Sequence, residues 1–425
     1  MRLFKKIKTL NTLEKIFLTF LVFAQIFYSY RYIFRYGSPI SPKGYVETPQ
    51  IFQYGKFVLA FIFFVILSSY VLKKIDFKEI IKRYSSQKIW ILILLFFFYI
   101  TASLLKFGFS LDSFGFTQSL KMIFVIPFVF FIPFMWKDKN PFDFLKIFLV
   151  FSVVYHLIYN FLMIGMFYFF GRLPGLGFSD ILGRFGGGWD DPNSFAAFIV
   201  LLIITLVVFD FNNKRLKKRL SFLYIFLLAL LTISLLYTFS TTSLVGLVLS
   251  LAILLFLKRD TFKRIGVVFI TTATFSLIFY ALNYFNLIYN AKLASSKVHL
   301  AVVPSPAQNP GSFEAVINFI FGSSGPAGFN ENIYLQLFKN FGITAVFLFL
   351  IILGLTAYKS FKGWKNSLGE EKKNFFLVSF VYLMVFSFMN LGIPFFQSFP
   401  LNLFVWIMIG LVWIFPGGNY VKNES

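Results

Sequence analysis

Two stretches of the sequence carry residues that could do chemistry. The first is Gly183-Arg184-Phe185-Gly186-Gly187-Gly188-Trp189-Asp190-Asp191-Pro192-Asn193-Ser194, with Arg172 upstream. Glycines let a backbone approach a ligand and expose its N–H groups. The planar guanidinium of arginine fits phosphate oxygens. Arg184 and Arg172 are therefore candidates for holding a diphosphate. Asp191, Pro192 and Asn193 also read as a helix start, with an acid and a capping amide around a proline. Asn193 is the candidate there for a contact to diphosphate or glycan. The second stretch ends in Asn330-Glu331-Asn332-Ile333-Tyr334-Leu335-Gln336, just before an apolar run. A carboxylate at Glu331 could take the proton of an attacking hydroxyl as a general base, or serve only as an acid at the positive end of a helix. Asn332 beside it is a further candidate contact. Lys292, Lys297 and His299 lie upstream, and the lysines suit either a diphosphate or anionic lipid.

Other positions read more plainly. Ser240-Thr241-Thr242-Ser243 offers four hydroxyls to a sugar, but a capped corner between two helices is the preferred reading. Lys106 falls at the end of an apolar run and is a candidate phosphate contact. His156, four residues before Asn160 in a long apolar run, reads as a packed core residue. The chain has no cysteine and two histidines, which excludes thiolate and His-rich metal sites. It carries no Walker-type Gly-Lys-Ser/Thr sequence. The expectation is chemistry without metal, nucleotide or other cofactor.

The elements that must position these residues are membrane helices. Charged residues make up 13% of the 425 residues, too few to solvate a soluble protein of this size, and the mean hydropathy is +0.78. Twelve apolar runs, 16–34, 52–72, 89–105, 120–136, 142–170, 194–209, 220–239, 244–257, 265–282, 342–358, 375–391 and 401–415, are read as spans. Segments 1–15, 73–88, 137–146, 210–219, 258–264, 359–373 and the C-terminal tail alternate with them and hold 29 of the 40 lysines and arginines. By the positive-inside rule this side faces the cytoplasm, with both termini. The net charge of +23 is thus a membrane signature and points to lipid, not nucleic acid. The 66 phenylalanines read as lipid-facing bulk. The basic segment 1–15 leads into a first anchor, with no small-residue cleavage site. The prediction is an all-α polytopic membrane protein, a single transmembrane domain over 1–425. Its large extracytoplasmic loop, 283–341, joins the ninth and tenth helices. Segment 313–321 inside that loop is apolar enough to fold as a cap.

On these features the chain resembles the O-antigen polymerase/ligase family of bacterial envelope enzymes. The likeness rests on Arg184 with its Gly-rich turn and Asp191-Pro192-Asn193, on the Ser240-Thr241-Thr242-Ser243 corner two helices later, and on the long loop closing in Glu331-Asn332-Ile333-Tyr334-Leu335-Gln336 with Gly342 beyond. It covers roughly residues 90–400. It implies a GT-C-like fold and an inverting, metal-independent transfer of a glycan from polyprenyl diphosphate, at the outer face of the inner membrane. The implied partners are the polyprenyl-diphosphate-linked oligosaccharide, an acceptor glycan or lipid, and membrane lipids. Ligases of the family place a histidine where Glu331 stands and commonly an arginine where Thr241 or Thr242 stands. Both differences favour a polymerase with a carboxylate base. Ligase and flippase are the alternatives. The polymerase reading expects Arg184 and Glu331 to approach each other.

Overall fold

The computed structural model describes residues 10–33, 50–74, 78, 84, 87–103, 120–136, 141–170, 178–179, 184–185, 192–209, 219–281, 312–321, 333–392 and 400–415. The described chain is all-α apart from one two-residue ladder. In order it forms α1 (Thr12–Ile33), α2 (Gln50–Lys74), α3 (Lys88–Ser103), a 3₁₀ turn (Ile126–Phe131) continuing into α4 (Ile132–Met135), and α5 (Phe142–Phe170). Then come β1 (Phe178–Ser179), β2 (Arg184–Phe185), α6 (Pro192–Val208), α7 (Arg219–Tyr237), α8 (Thr241–Leu257) and α9 (Phe262–Ala281). The last are α10 (Ser312–Phe321), α11 (Ile333–Asn366), α12 (Glu370–Met389) and α13 (Leu401–Ile414).

Each predicted span falls on helical chain, with two differences. Run 120–136 is not one helix. Pro127 and Pro133 lack the N–H that a continuous ladder needs, and the segment tightens to the 3₁₀ turn before α4. The tenth span begins at Gly342 as predicted, where the helix breaks, and a further helical piece, Ile333–Phe341, precedes it, so the end of the predicted loop is helix. Gln336 and Asn340 mask this in the sequence. The helix is carried through them by the stripe Ile333, Leu337 and Phe341, all buried.

Among the described residues, four helical stretches are long and apolar enough to cross a membrane: Phe142–Leu162, Arg259–Tyr280, Ile333–Asn366 and Glu370–Met389. Seven shorter apolar helices accompany them. At 1.5 Å per residue, the 17 residues of α6 span about 26 Å, a little under the hydrocarbon thickness. Outward-facing apolar side chains fit a lipid solvent. Ile270 and Leu277 of α9 are each 69% exposed, a poor arrangement for water. This set of helices fits a membrane protein.

The chain divides into two compact units, one of Met1–Phe27, Gln50–Ser152 and Ile317–Ser425, the other of Tyr28–Pro49 and Val153–Val316. In the first, α11 packs along α12, α3 and α13, and α13 also lies on the 3₁₀ turn and α4. Its interior takes up part of the phenylalanine that the sequence supplies. Phe17, Phe20, Phe128 and Phe144 are fully buried, with the Phe20 and Phe128 rings stacked at 4.3 Å. α1 is aimed into this cluster by a reciprocal cap. Asn11 Oδ1 accepts from Glu14 N–H at 2.8 Å and Glu14 Oε2 from Asn11 N–H at 2.7 Å. The other carboxylate oxygen accepts from Trp136 Nε1–H at 2.8 Å. At the far end of α11, Lys359 Nζ donates to the Trp413 carbonyl at 3.0 Å and lies 4.3 Å over its ring. In the second unit α6 packs against α7 and α8, α7 packs against α9, and β2 lies against α7.

The α11–α12 pair approaches closely where a Cβ added to Gly363 would lie 2.7 Å from the ring of the fully buried Phe376. A ring cannot swing aside as a flexible chain end can. Gly363→Ala is expected to destabilise the protein by about 1–3 kcal/mol, seen as a lowered Tm in detergent. An unchanged Tm would show that the two helices separate freely.

Candidate functional site

Most of the sequence-predicted site residues, Arg172, Lys106, Lys292, Lys297, Glu331 and Asn332, with His299, lie outside the described residues, so the expected approach of Arg184 to Glu331 does too. Two predicted positions are described. The backbone of Arg184 pairs with Ser179 in the antiparallel β1–β2 ladder. Asn193 stands in the first turn of α6, whose start at Pro192 agrees with the predicted helix opening. The Asn193 carbonyl accepts from the Ser243 hydroxyl at 3.4 Å. Ser243 and Ser240 belong to the corner between α7 and α8. Ser240 caps α8, its Oγ accepting from Ser243 N–H at 3.4 Å and donating to Ser243 Oγ at 3.1 Å. The corner is thus a capped hairpin, as preferred from sequence, and Phe239 enters it with a φ of 49°, an outlying conformation for a bulky residue. In the same unit His156 is fully buried, its ring 5.4 Å from those of Phe195 and Phe198, which agrees with its reading as a packed residue. One turn on, Asn160 is also fully buried, and neither atom of its amide has a hydrogen-bond partner among the described residues.

The other unit gathers a second polar group at the start of α11, directly after Glu331 in the chain. Ile333 N–H donates to the Asn390 carbonyl at 3.0 Å, so the last carbonyl of α12 takes up the first orphan donor of α11. The Tyr334 hydroxyl donates to the Ser387 carbonyl at 2.7 Å. Gln336 and Asn340 follow on one face, four residues apart. They are 1% and 0% exposed, and all four of their amide atoms lack a hydrogen-bond partner among the described residues. Below them the helix breaks at Gly342, with φ 75° and ψ −179°. This conformation favours glycine. The end of α10 lies against the break, where a Cβ on Gly342 would meet the Ile320 carbonyl oxygen at 2.1 Å. Tyr99 of α3 ties the pieces together. Its hydroxyl proton is shared between the Phe341 carbonyl at 2.7 Å and the Ile320 carbonyl at 3.0 Å. A side-chain hydrogen bond joins it to Thr344, and its ring stacks on Phe321. α10, the predicted folded piece of the loop, is thus pinned at its C-terminal end to the break in α11.

A third amide belongs to this end of the unit. The rings of Phe349 and Trp406 both contact Phe96, and Thr356 accepts from Trp413 Nε1–H. α13 packs along α11, and Asn402 stands in the first turn of α13. Asn402 is fully buried, its Oδ1 accepting from Leu403 N–H at 2.8 Å while its Nδ2 has no partner among the described residues. Sequence reasoning singled out the acid at 331 and passed over Tyr99, Asn340 and Asn402. The available signal was a pair of amides four apart inside an apolar stripe. Among the described residues no three His, Asp or Glu side chains gather as a metal site requires. The arrangement is a pair of buried, neutral amides on the helical piece that ends at the break to which α10 is pinned.

No protein-family model matches the chain, and no curated protein matches it.

Gly342→Ala is expected to dislodge α10, because the clash is with backbone and the φ is unfavourable for alanine. Hydrogen exchange of Ile320 and Phe321 amides should speed markedly. Tyr99→Phe should give a smaller opening, about 1–3 kcal/mol, for two carbonyls left without their donor. Unchanged exchange in both variants would contradict the pinned arrangement.

Proposed function

We propose that the protein is a polysaccharide polymerase of a bacterial inner membrane. It moves a glycan from polyprenyl diphosphate to a sugar hydroxyl at the outer face, with both termini in the cytoplasm and twelve crossings. The observation that carries this reading is the buried amide pair Gln336 and Asn340 on the helix that Glu331 leads into. Hydrogen-bonding amides a few residues after a carboxylate in the chain are what an acceptor sugar needs. The basic segments at the opposite end of α11, with Lys359, Lys362 and Lys365, support an outer location for the amide end.

The chemistry follows from these residues. The acceptor hydroxyl attacks C1 of the donor sugar from the face opposite the diphosphate. Its proton passes to the Glu331 carboxylate as the new C1–O bond forms. The C1–O bond to diphosphate breaks, C1 inverts, and polyprenyl diphosphate leaves with the bonding pair. Arg184, with Arg172, Lys106, Lys292 and Lys297 as further candidates, balances the charge that develops on the leaving group. Asn193 and Asn332 are candidate contacts to donor or acceptor. Transfer to a lipid A core or another acceptor would use the same steps.

A flippase for the same lipid-linked glycan is the second reading. It is favoured by Ser152, His156 and Asn160, which form a fully buried polar row along α5 at four-residue spacing. Polar groups within a span often mark a transport path.

The deciding experiment follows chain length when purified protein in detergent, without any gradient, is given polyprenyl-diphosphate-linked repeat units. The wild type is expected to extend them and Glu331→Gln to slow extension by about 10²–10⁴-fold while still binding substrate. Normal extension by the variant would overturn the base assignment. No extension by the wild type, with transbilayer movement in liposomes, would favour the flippase. Transfer only after a different acceptor is added would favour a ligase.

A further inference from the structure

The polymerase reading leaves open what Gln336 and Asn340 recognise. On that reading, we infer that the two amides form a subsite for one uncharged sugar ring of the lipid-linked glycan, and that they do not contact its diphosphate.

The arrangement is costly. A buried polar group left without a partner costs about 1–3 kcal/mol, and two adjacent amides here carry four such atoms. Leucine at either position would continue the stripe of Ile333, Leu337 and Phe341 without that cost. The face is also kept free of charge. The one cation of this helical stretch, Lys339, is exposed, off the face that buries Gln336 and Asn340. A diphosphate calls for cations and gains little from neutral amides. A sugar ring suits them, because each primary amide supplies a donor pair and an acceptor to vicinal hydroxyls or an acetamido group. The buried stripe of Ile333, Leu337 and Phe341 on the same helical piece provides apolar surface beside them. The α10 end pinned at Gly342 bounds this helical piece at one end, and the Asn390 carbonyl bounds it at the other.

The test uses the full chain in detergent and two probes, polyprenyl diphosphate carrying one N-acetylglucosamine and bare polyprenyl diphosphate. Affinities are measured for wild type, Gln336→Leu and Asn340→Leu. The wild type should prefer the glycosylated probe, and each variant should lower that preference about tenfold, the effect of one lost neutral hydrogen-bonding side chain. Affinity for the bare probe should stay unchanged, which also shows that the variants fold. An undiminished preference in both variants would overturn the subsite, leaving the amides as holders of water. Equal loss of both probes would overturn it as well, giving the amides a structural role. Either result leaves the polymerase reading standing if the wild type still extends chains. A wild type that neither extends chains nor prefers the glycosylated probe would remove both.

Discussion

The Tyr99 hydroxyl holds together backbone segments that lie 221 and 242 residues further along the chain. One is the end of α10, the other the turn of α11 above its break. Both acceptors are main-chain carbonyls at helix discontinuities, where the regular ladder no longer supplies donors. In an apolar medium such groups must be satisfied within the protein. The contact therefore removes two costs with one side chain. It is possible only because Gly342 has no Cβ to meet the Ile320 carbonyl. The helical piece Ile333–Phe341 depends on this junction for its direction, and the two buried amides depend on that piece for theirs.

The same unit shows how a phenylalanine-rich chain becomes specific. Apolar bulk alone would slide in lipid, since hydrocarbon is as good a neighbour as another phenylalanine. Polar anchors fix the register instead. Glu14 joins the cap of α1 to Trp136, Asn390 joins the end of α12 to the start of α11, and Thr356 with Lys359 joins α11 to Trp413. Each anchor satisfies a backbone or indole group that would otherwise be buried without a partner. The amides of Gln336 and Asn340 stand out because they do the reverse. They are set inside the packing without closing any bond among the described residues, which is why recognition of a ligand is the role assigned to them.

Much of the helix pattern was legible because apolar runs end at punctuation. Phe142–Phe170 follows Pro141, α6 opens at Pro192, and α8 takes its cap from Ser240. The break at Pro127 and Pro133 was present in the letters but hidden by unbroken hydrophobicity. The helical piece Ile333–Phe341, which precedes the span at Gly342, was missed because Gln336 and Asn340 look like loop residues when polarity alone is read. Tyr99 carried no local signal at all. It is one of 21 tyrosines, and its meaning lies in partners that only the fold supplies. The polar group of Ile333–Asn340 directly follows the Glu331 stretch in the chain, and the roles read for that stretch lie outside the described residues. The burial of its amides was not legible, because burial without a partner is a property of packing.

The most direct test of the central claim, that the start of α11 meets the glycan, is photo-crosslinking with a lipid-linked sugar carrying a diazirine on the ring, followed by mass-spectrometric mapping. The account predicts adducts within Ile333–Phe341, removed by excess unlabelled lipid-linked glycan. Adducts confined to α5 and α6, around His156 and Phe198, would contradict it and move the glycan path to the other unit.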